Sequence, residues 1–169
     1  MARKSNSYCA AALRLAVLLL CILPLAGCWT VKQEVISADE GEAIPLNINF
    51  QYMGNDDHSP LYLTRPGNNN DYQFQLKNSD GSITEGTFRA INVKDNIYAV
   101  QIRCKGSDDI DIRFYSISSE DWKVVVPAVD LTERFASYGI TVDGDDMSGD
   151  PSNINRFLRS LSDIDFKDE

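Results

Sequence analysis

Histidine is almost absent from this 169-residue chain, with one residue, His58, and cysteine is scarce, at four. One imidazole and the one thiol beyond residue 28, Cys104, cannot assemble the thiolate and imidazole set that zinc requires. His58 has Asp56, Asp57 and Ser59 only as sequence neighbours. A catalytic triad draws its members from separate elements, and no Gly-x-Ser-x-Gly elbow is present, so the histidine reads as a turn residue. Basic residues are also few, 16 Lys and Arg against 25 Asp and Glu, for a formal charge of −9. They are scattered among acids rather than clustered, which argues against a nucleic-acid partner. Finally, no apolar run is long enough to cross a bilayer, which takes about 20 consecutive apolar residues. The longest, Leu15 to Gly27, has 13 residues, is bounded by Arg14 and is interrupted by Pro24.

That run has a different character. Arg3 and Lys4 precede it, and the small residues Ala26 and Gly27 close it, which is the layout of a cleavable export signal. The order Leu25-Ala26-Gly27-Cys28 closely resembles the lipobox of bacterial lipoproteins. The resemblance implies cleavage between Gly27 and Cys28, a diacylglyceryl thioether on Cys28 and acylation of the new amino terminus. It thus implies a membrane partner reached through a lipid anchor on Cys28. Two or more acyl chains hold a protein to a bilayer essentially permanently, whereas one holds it reversibly. In bacteria with two membranes, the family pattern associates aspartate after the lipidated cysteine with retention at the inner one. Trp29 stands there instead, which implies the periplasmic face of the outer membrane.

Cleavage would divide the chain into a signal, 1–27, a lipidated amino terminus and polar tether, 28–42, and one globular domain, 43–169. The mature part, 142 residues, is one domain's worth and can bury roughly two-thirds of its unfolded surface. Cys9 and Cys21 would leave with the signal and Cys28 would carry lipid, so Cys104 is expected as the one thiol and no internal disulfide forms. Loss of Arg3, Lys4 and Arg14 takes the formal charge to −12. Anionic headgroups repel such a body, which is therefore expected to stand away from the bilayer on its tether.

From Ala43 onward the chain alternates apolar and polar residues in short runs between turn residues, the pattern of antiparallel strands. Runs are expected over Ile44 to Met53, at Leu61 to Leu63, and through Tyr72, Phe74 and Leu76. Further runs cover Ile83 to Val93, Ile97 to Arg103, Ile110 to Phe114 and Trp122 to Val129. Toward the carboxyl terminus the period lengthens. Asp130 and Glu133 open a helix that Gly139 closes, and Pro151 starts a second with Ile154, Phe157, Leu158 and Leu161 on one face. Ile140-Thr141-Val142 reads as a further short strand between them. The expected class is α+β, mainly β: an antiparallel meander or half-barrel, calycin-like by analogy, with two short helices covering an open end or edge. Element order also resembles that of small bacterial lipoproteins with a strand meander and helical tail, a resemblance that carries no catalytic residues.

Among sites, the acidic loop Asp143 to Asp150 departs from a calcium loop, because Met147 occupies the fifth position and Ile154 stands where a bidentate Glu belongs. It reads as a solvated loop, and no cofactor or metal is expected. Asp108, Asp109 and Asp111 are placed on the solvent side of a strand by the alternation of Ile110 and Ile112. Tyr52, Tyr62, Tyr72 and Tyr98 fall in strand alternation and read as packing residues, and Trp122 reads as core. Three functions stay open. The favoured one is a non-enzymatic binding or structural module for another envelope component, with an exposed apolar patch. A small-ligand carrier would line a cavity with Phe50, Tyr72, Phe74, Phe88 and Phe114. An enzyme without a recognisable motif would gather titratable groups in a cleft.

Overall fold

A computed structural model describes residues 28–45, 51–53, 60–64, 70–78, 80–119 and 122–168. In chain order the elements are β1 (Trp29–Val31), β2 (Gln51–Met53), β3 (Pro60–Thr64), β4 (Tyr72–Lys77), β5 (Ile83–Lys94), β6 (Ile97–Cys104), β7 (Ile110–Ile117) and β8 (Trp122–Pro127). Then follow α1 (Thr132–Ser137), β9 (Thr141–Asp143), β10 (Asp146–Ser148), α2 (Pro151–Arg159), a 3₁₀ turn (Ser160–Asp163) and β11 (Phe166–Asp168).

Strands β2 to β7 pair in sequence as an antiparallel meander. The β5–β6 turn sets Asp95 at a left-handed φ of 49°, a conformation Asp tolerates better than most residues. Beyond β7 the sheet forks. The first half of β7 pairs with β1, Trp29 opposite Ile112, and the second half pairs with β8, Phe114 opposite Val125. From β1 the sheet continues by one parallel bridge to β10 and on to β9, and from β8 it continues to β11. The sheet is mixed and does not close into a barrel.

Alternation along β6 and β7 feeds two cores, one on each face. Ala99, Ile110, Ile112 and Phe114 join Trp29, Ile36, Phe157, Leu158 and Leu161 on the helix side. Val100, Tyr115 and Ile117 join Leu63, Tyr72, Phe88 and Ala90 on the other. The apolar spacing read for α2 is realised: Ile154, Phe157, Leu158 and Leu161 are all buried, and Asp150 caps its first turn by accepting from the Ser152 amide at 2.9 Å. Ahead of α1, Asp130 accepts from the Thr132 amide at 2.9 Å, but the cap position falls to Leu131, which makes no side-chain cap bond, rather than to Asp130 as expected; Gly139 follows the helix with φ +67°. Both helices lie on one face of the sheet rather than across an end or edge.

Three expectations need correction. Residues 28–42 do not hang as a tether. Trp29 and Val31 are buried strand residues, and Val35 and Ile36 are buried beneath the helices. The cause is a pair of buried amides that serve this strap's backbone. Gln101 Oε1 accepts from the amides of Val35 and Ile36 at 2.7 and 2.9 Å, its Nε2 donates to Ile36 O, and Asn155 Nδ2 donates to Val35 O at 2.7 Å. A segment whose polar groups are met this fully can be buried despite its polar composition. The strap then reaches the other core along β5, where the Glu42 amide donates to Ala90 O and the Ile44 amide to Tyr72 Oη. The loop 143–150, read as solvated, is mostly a tight hairpin, β9 and β10, turning at Gly144 (φ +61°) and burying Met147. Of the run Ile44 to Met53, Gln51–Met53 is β2, Ile44 is a buried loop residue, and 46–50 lie outside the described residues.

Candidate functional site: an apolar groove beside Arg113

The face opposite the helices carries a groove of ≈ 770 Å³, within the roughly 300–1,000 Å³ of small-ligand sites. Strands β4 to β8 form its floor, and its apolar wall includes Leu63, Phe74, Leu76, Phe88, Ile102 and Val124. Aromatic packing stiffens it. Tyr72 stacks on Phe88 at 4.9 Å between ring centres, and Trp122 meets Phe88 and Tyr115 edge-on at 5.6 and 4.8 Å. Phe74 sits where it does because position 86 is glycine: a Cβ there would lie 2.6 Å from the Phe74 ring and 2.3 Å from Arg103 O.

One part of the groove is polar. Asp111, Arg113 and Tyr115 lie on the same face of β7 by alternation and line the groove. Trp29 pairs with Ile112, so Cys28, just before β1, stands beside Arg113, while its successor Trp29 points into the opposite core. The Arg113 guanidinium lies beside Cys28 and Tyr115, close enough to act on both electrostatically, and its Nη2 lies 3.7 Å from Asp111 Oδ2. Burial pushes the Cys28 thiol above its usual range, against the pull of Arg113. Burial likewise raises Asp111, opposed by Arg113 and by a hydrogen bond from Thr30. Tyr115 is raised by burial too. All three shifts favour neutral forms, which suits an apolar wall better than a nucleophile. Arg113 Nε is buried and has no hydrogen-bond partner among the described residues.

Of the aromatics expected to face a ligand, Phe74 and Phe88 line the groove together. Tyr72 backs Phe88 in the same core. Phe114 is fully buried on the helix side and meets nothing on this face. Phe50 lies outside the described residues, as does His58. Trp122, read as core, is half-buried and lines the groove, and Asp111, read as solvent-facing, is half-buried beside Arg113. Tyr62 is exposed and Tyr98 packs partly buried against the groove-side core. Sequence reading missed Ile102, Val124, Arg113 and Tyr115; the second apolar register of β6 to β8, Tyr98-Val100-Ile102 and Trp122-Val124, was the available signal.

Among the described residues no three His, Cys, Asp or Glu are grouped to hold a metal ion, and no helix is long and apolar enough to cross a membrane. Comparisons with protein-family models, with curated proteins and with solved structures find no match.

Proposed function

We propose that this chain is a lipoprotein of the bacterial cell envelope, anchored by lipid on Cys28, whose folded domain is a non-enzymatic binding or structural module. The observation that carries the reading is the sequence Leu25-Ala26-Gly27-Cys28 closing a short apolar stretch behind Arg3 and Lys4. By the same family pattern, Trp29 after the cysteine supports the periplasmic face of the outer membrane in a bacterium with two membranes, with an envelope protein or other envelope component as partner. A groove walled mainly by apolar and aromatic side chains supports binding. Intact mass spectrometry of the membrane-extracted protein beside Cys28→Ala tests this. Loss of residues through Gly27 with a lipid mass that the variant lacks is the expected result; an intact amino terminus or an unlipidated chain refutes it.

A second reading, a small-ligand carrier, is favoured by the size and apolar wall of the groove. It expects a co-purifying apolar molecule in native mass spectra of the Cys28→Ala form, which has no lipid of its own.

A further inference from the structure

We infer that the groove is the seat of one acyl chain of the lipid carried by Cys28. The inference rests on the reading of Cys28 as lipidated and adds where that lipid lies. Three observations carry it. The first is continuity. Trp29 pairs with Ile112, which sets Cys28 beside Arg113, and Arg113 with its strand neighbours Asp111 and Tyr115 lines the groove. A thioether formed on that sulfur therefore starts at the groove, not at a distance from it.

The second is the lack of a spacer. Cys28 immediately precedes β1, and Trp29 and Val31 are locked into the helix-side core. Pairing of Trp29 with Ile112 therefore keeps Cys28 within one residue of the sheet. The third is an unmet polar group. Arg113 Nε is buried without a partner among the described residues, and lipidation brings ester and amide carbonyls, all acceptors, to its neighbour. Buried donors are otherwise nearly always satisfied.

The energetics are consistent with partial withdrawal of the anchor. Moving a chain from bilayer hydrocarbon to an apolar groove changes its own surroundings little, while covering the half-buried Phe74, Ile102 and Val124 removes them from water. The remaining chains are enough to hold the protein in the membrane. The domain is then fixed against the bilayer in one orientation, with its acidic body close to the surface rather than hanging at a distance.

A photo-crosslinking benzophenone amino acid in place of Ile102 tests this, with Val124 as a second position should the first impair folding. The full lipoprotein is reconstituted in phospholipid vesicles whose acyl chains are deuterated, so that bilayer lipid and the protein's own lipid differ in mass. The expected product joins position 102 or 124 to a non-deuterated chain on the Cys28 peptide, and it is lost when the probe replaces exposed Glu133 on the helix side. Crosslinks to deuterated phospholipid overturn the inference and turn the groove toward the bilayer. Absence of any acyl crosslink in a protein whose Cys28 still carries lipid also overturns it. A Cys28 peptide without lipid overturns instead the lipoprotein reading on which the inference rests.

Discussion

Gln101→Ala probes the contact that turns a polar amino-terminal segment into part of the core. Gln101 is 5 % exposed and accepts at 2.7 and 2.9 Å from two amides of the strap. Truncation strands both, at about 1–3 kcal/mol per buried unsatisfied group. The space vacated by the carboxamide is polar and can admit a water, which returns part of that loss. A destabilisation of about 2–4 kcal/mol is expected. For a domain of this size that corresponds to a fall in Tm of roughly 4–16 °C. The assay is urea unfolding of the mature chain with and without the substitution, in a Cys28→Ala background, with hydrogen exchange read at Val35 and Ile36. The midpoint should fall at constant m, and those two amides should lose protection before the β5–β6 pair. A change within about 0.5 kcal/mol, the range of ordinary surface substitutions, with unaltered exchange at Val35 and Ile36, would show that the strap is not held by Gln101 and that its burial has another cause.

Phe157→Ala should cost about 3–5 kcal/mol, because the ring is fully buried and packs within 6.0 Å of the rings of Trp29, Phe135 and Tyr138; thermal unfolding reads it, and a loss below 1.5 kcal/mol, in the range of tolerated core swaps, would contradict the packing. Gly86→Ala forces a methyl against Arg103 O and the Phe74 ring, so a loss of about 1–3 kcal/mol is expected, with a changed Trp122 emission spectrum reporting the disturbed groove; a neutral substitution argues against the close approach. Asp111→Asn concerns pH. Burial raises the Asp111 carboxyl in the folded state, Arg113 and Thr30 opposing and Asp109 adding to the shift. A raised folded value means the stability linked to this group is complete below its unfolded pKa and is lost as pH rises through the folded one. The variant should therefore be more stable than the parent at neutral pH, and the gap should close as pH falls through the carboxylate range. A gap that does not change with pH defeats the assignment.

If Cys28 carries lipid, the anchor and the groove bear on one another through a single structural fact, the position of Cys28 directly before β1. A lipoprotein with a long linker samples many orientations, since a flexible chain's ends wander with the square root of its length. An anchor on Cys28 would have no such linker before the sheet, and would restrict which face of the domain meets the membrane surface.

Much of the meander was legible in the chain because a half-buried strand writes its face into every second residue. Ile110, Ile112 and Phe114 announced β7, and Asp95-Asn96 announced the hairpin that joins β5 to β6. Pro151 in the first turn and the stripe Ile154, Phe157, Leu158 and Leu161 announced α2 for the same kind of reason, since both signals are local. The groove was legible only in part. Phe74 and Phe88 were picked out as aromatics in alternation, but so was Phe114, and alternation says that two faces differ without saying which core each face meets.

What the sequence determined by itself is what depends on neighbours in the chain: strand and helix positions, turn chemistry, the export signal pattern and the low basic content. What only the tertiary structure decided is what depends on partners far along it. Gln101 and Asn155 lie 66 and 120 residues from Val35, yet they bury the strap that its own polar composition would leave in water. The same holds at Cys28: Arg113 reaches it from a strand more than eighty residues away, because β1 pairs with the one half of β7 that β8 leaves unpaired.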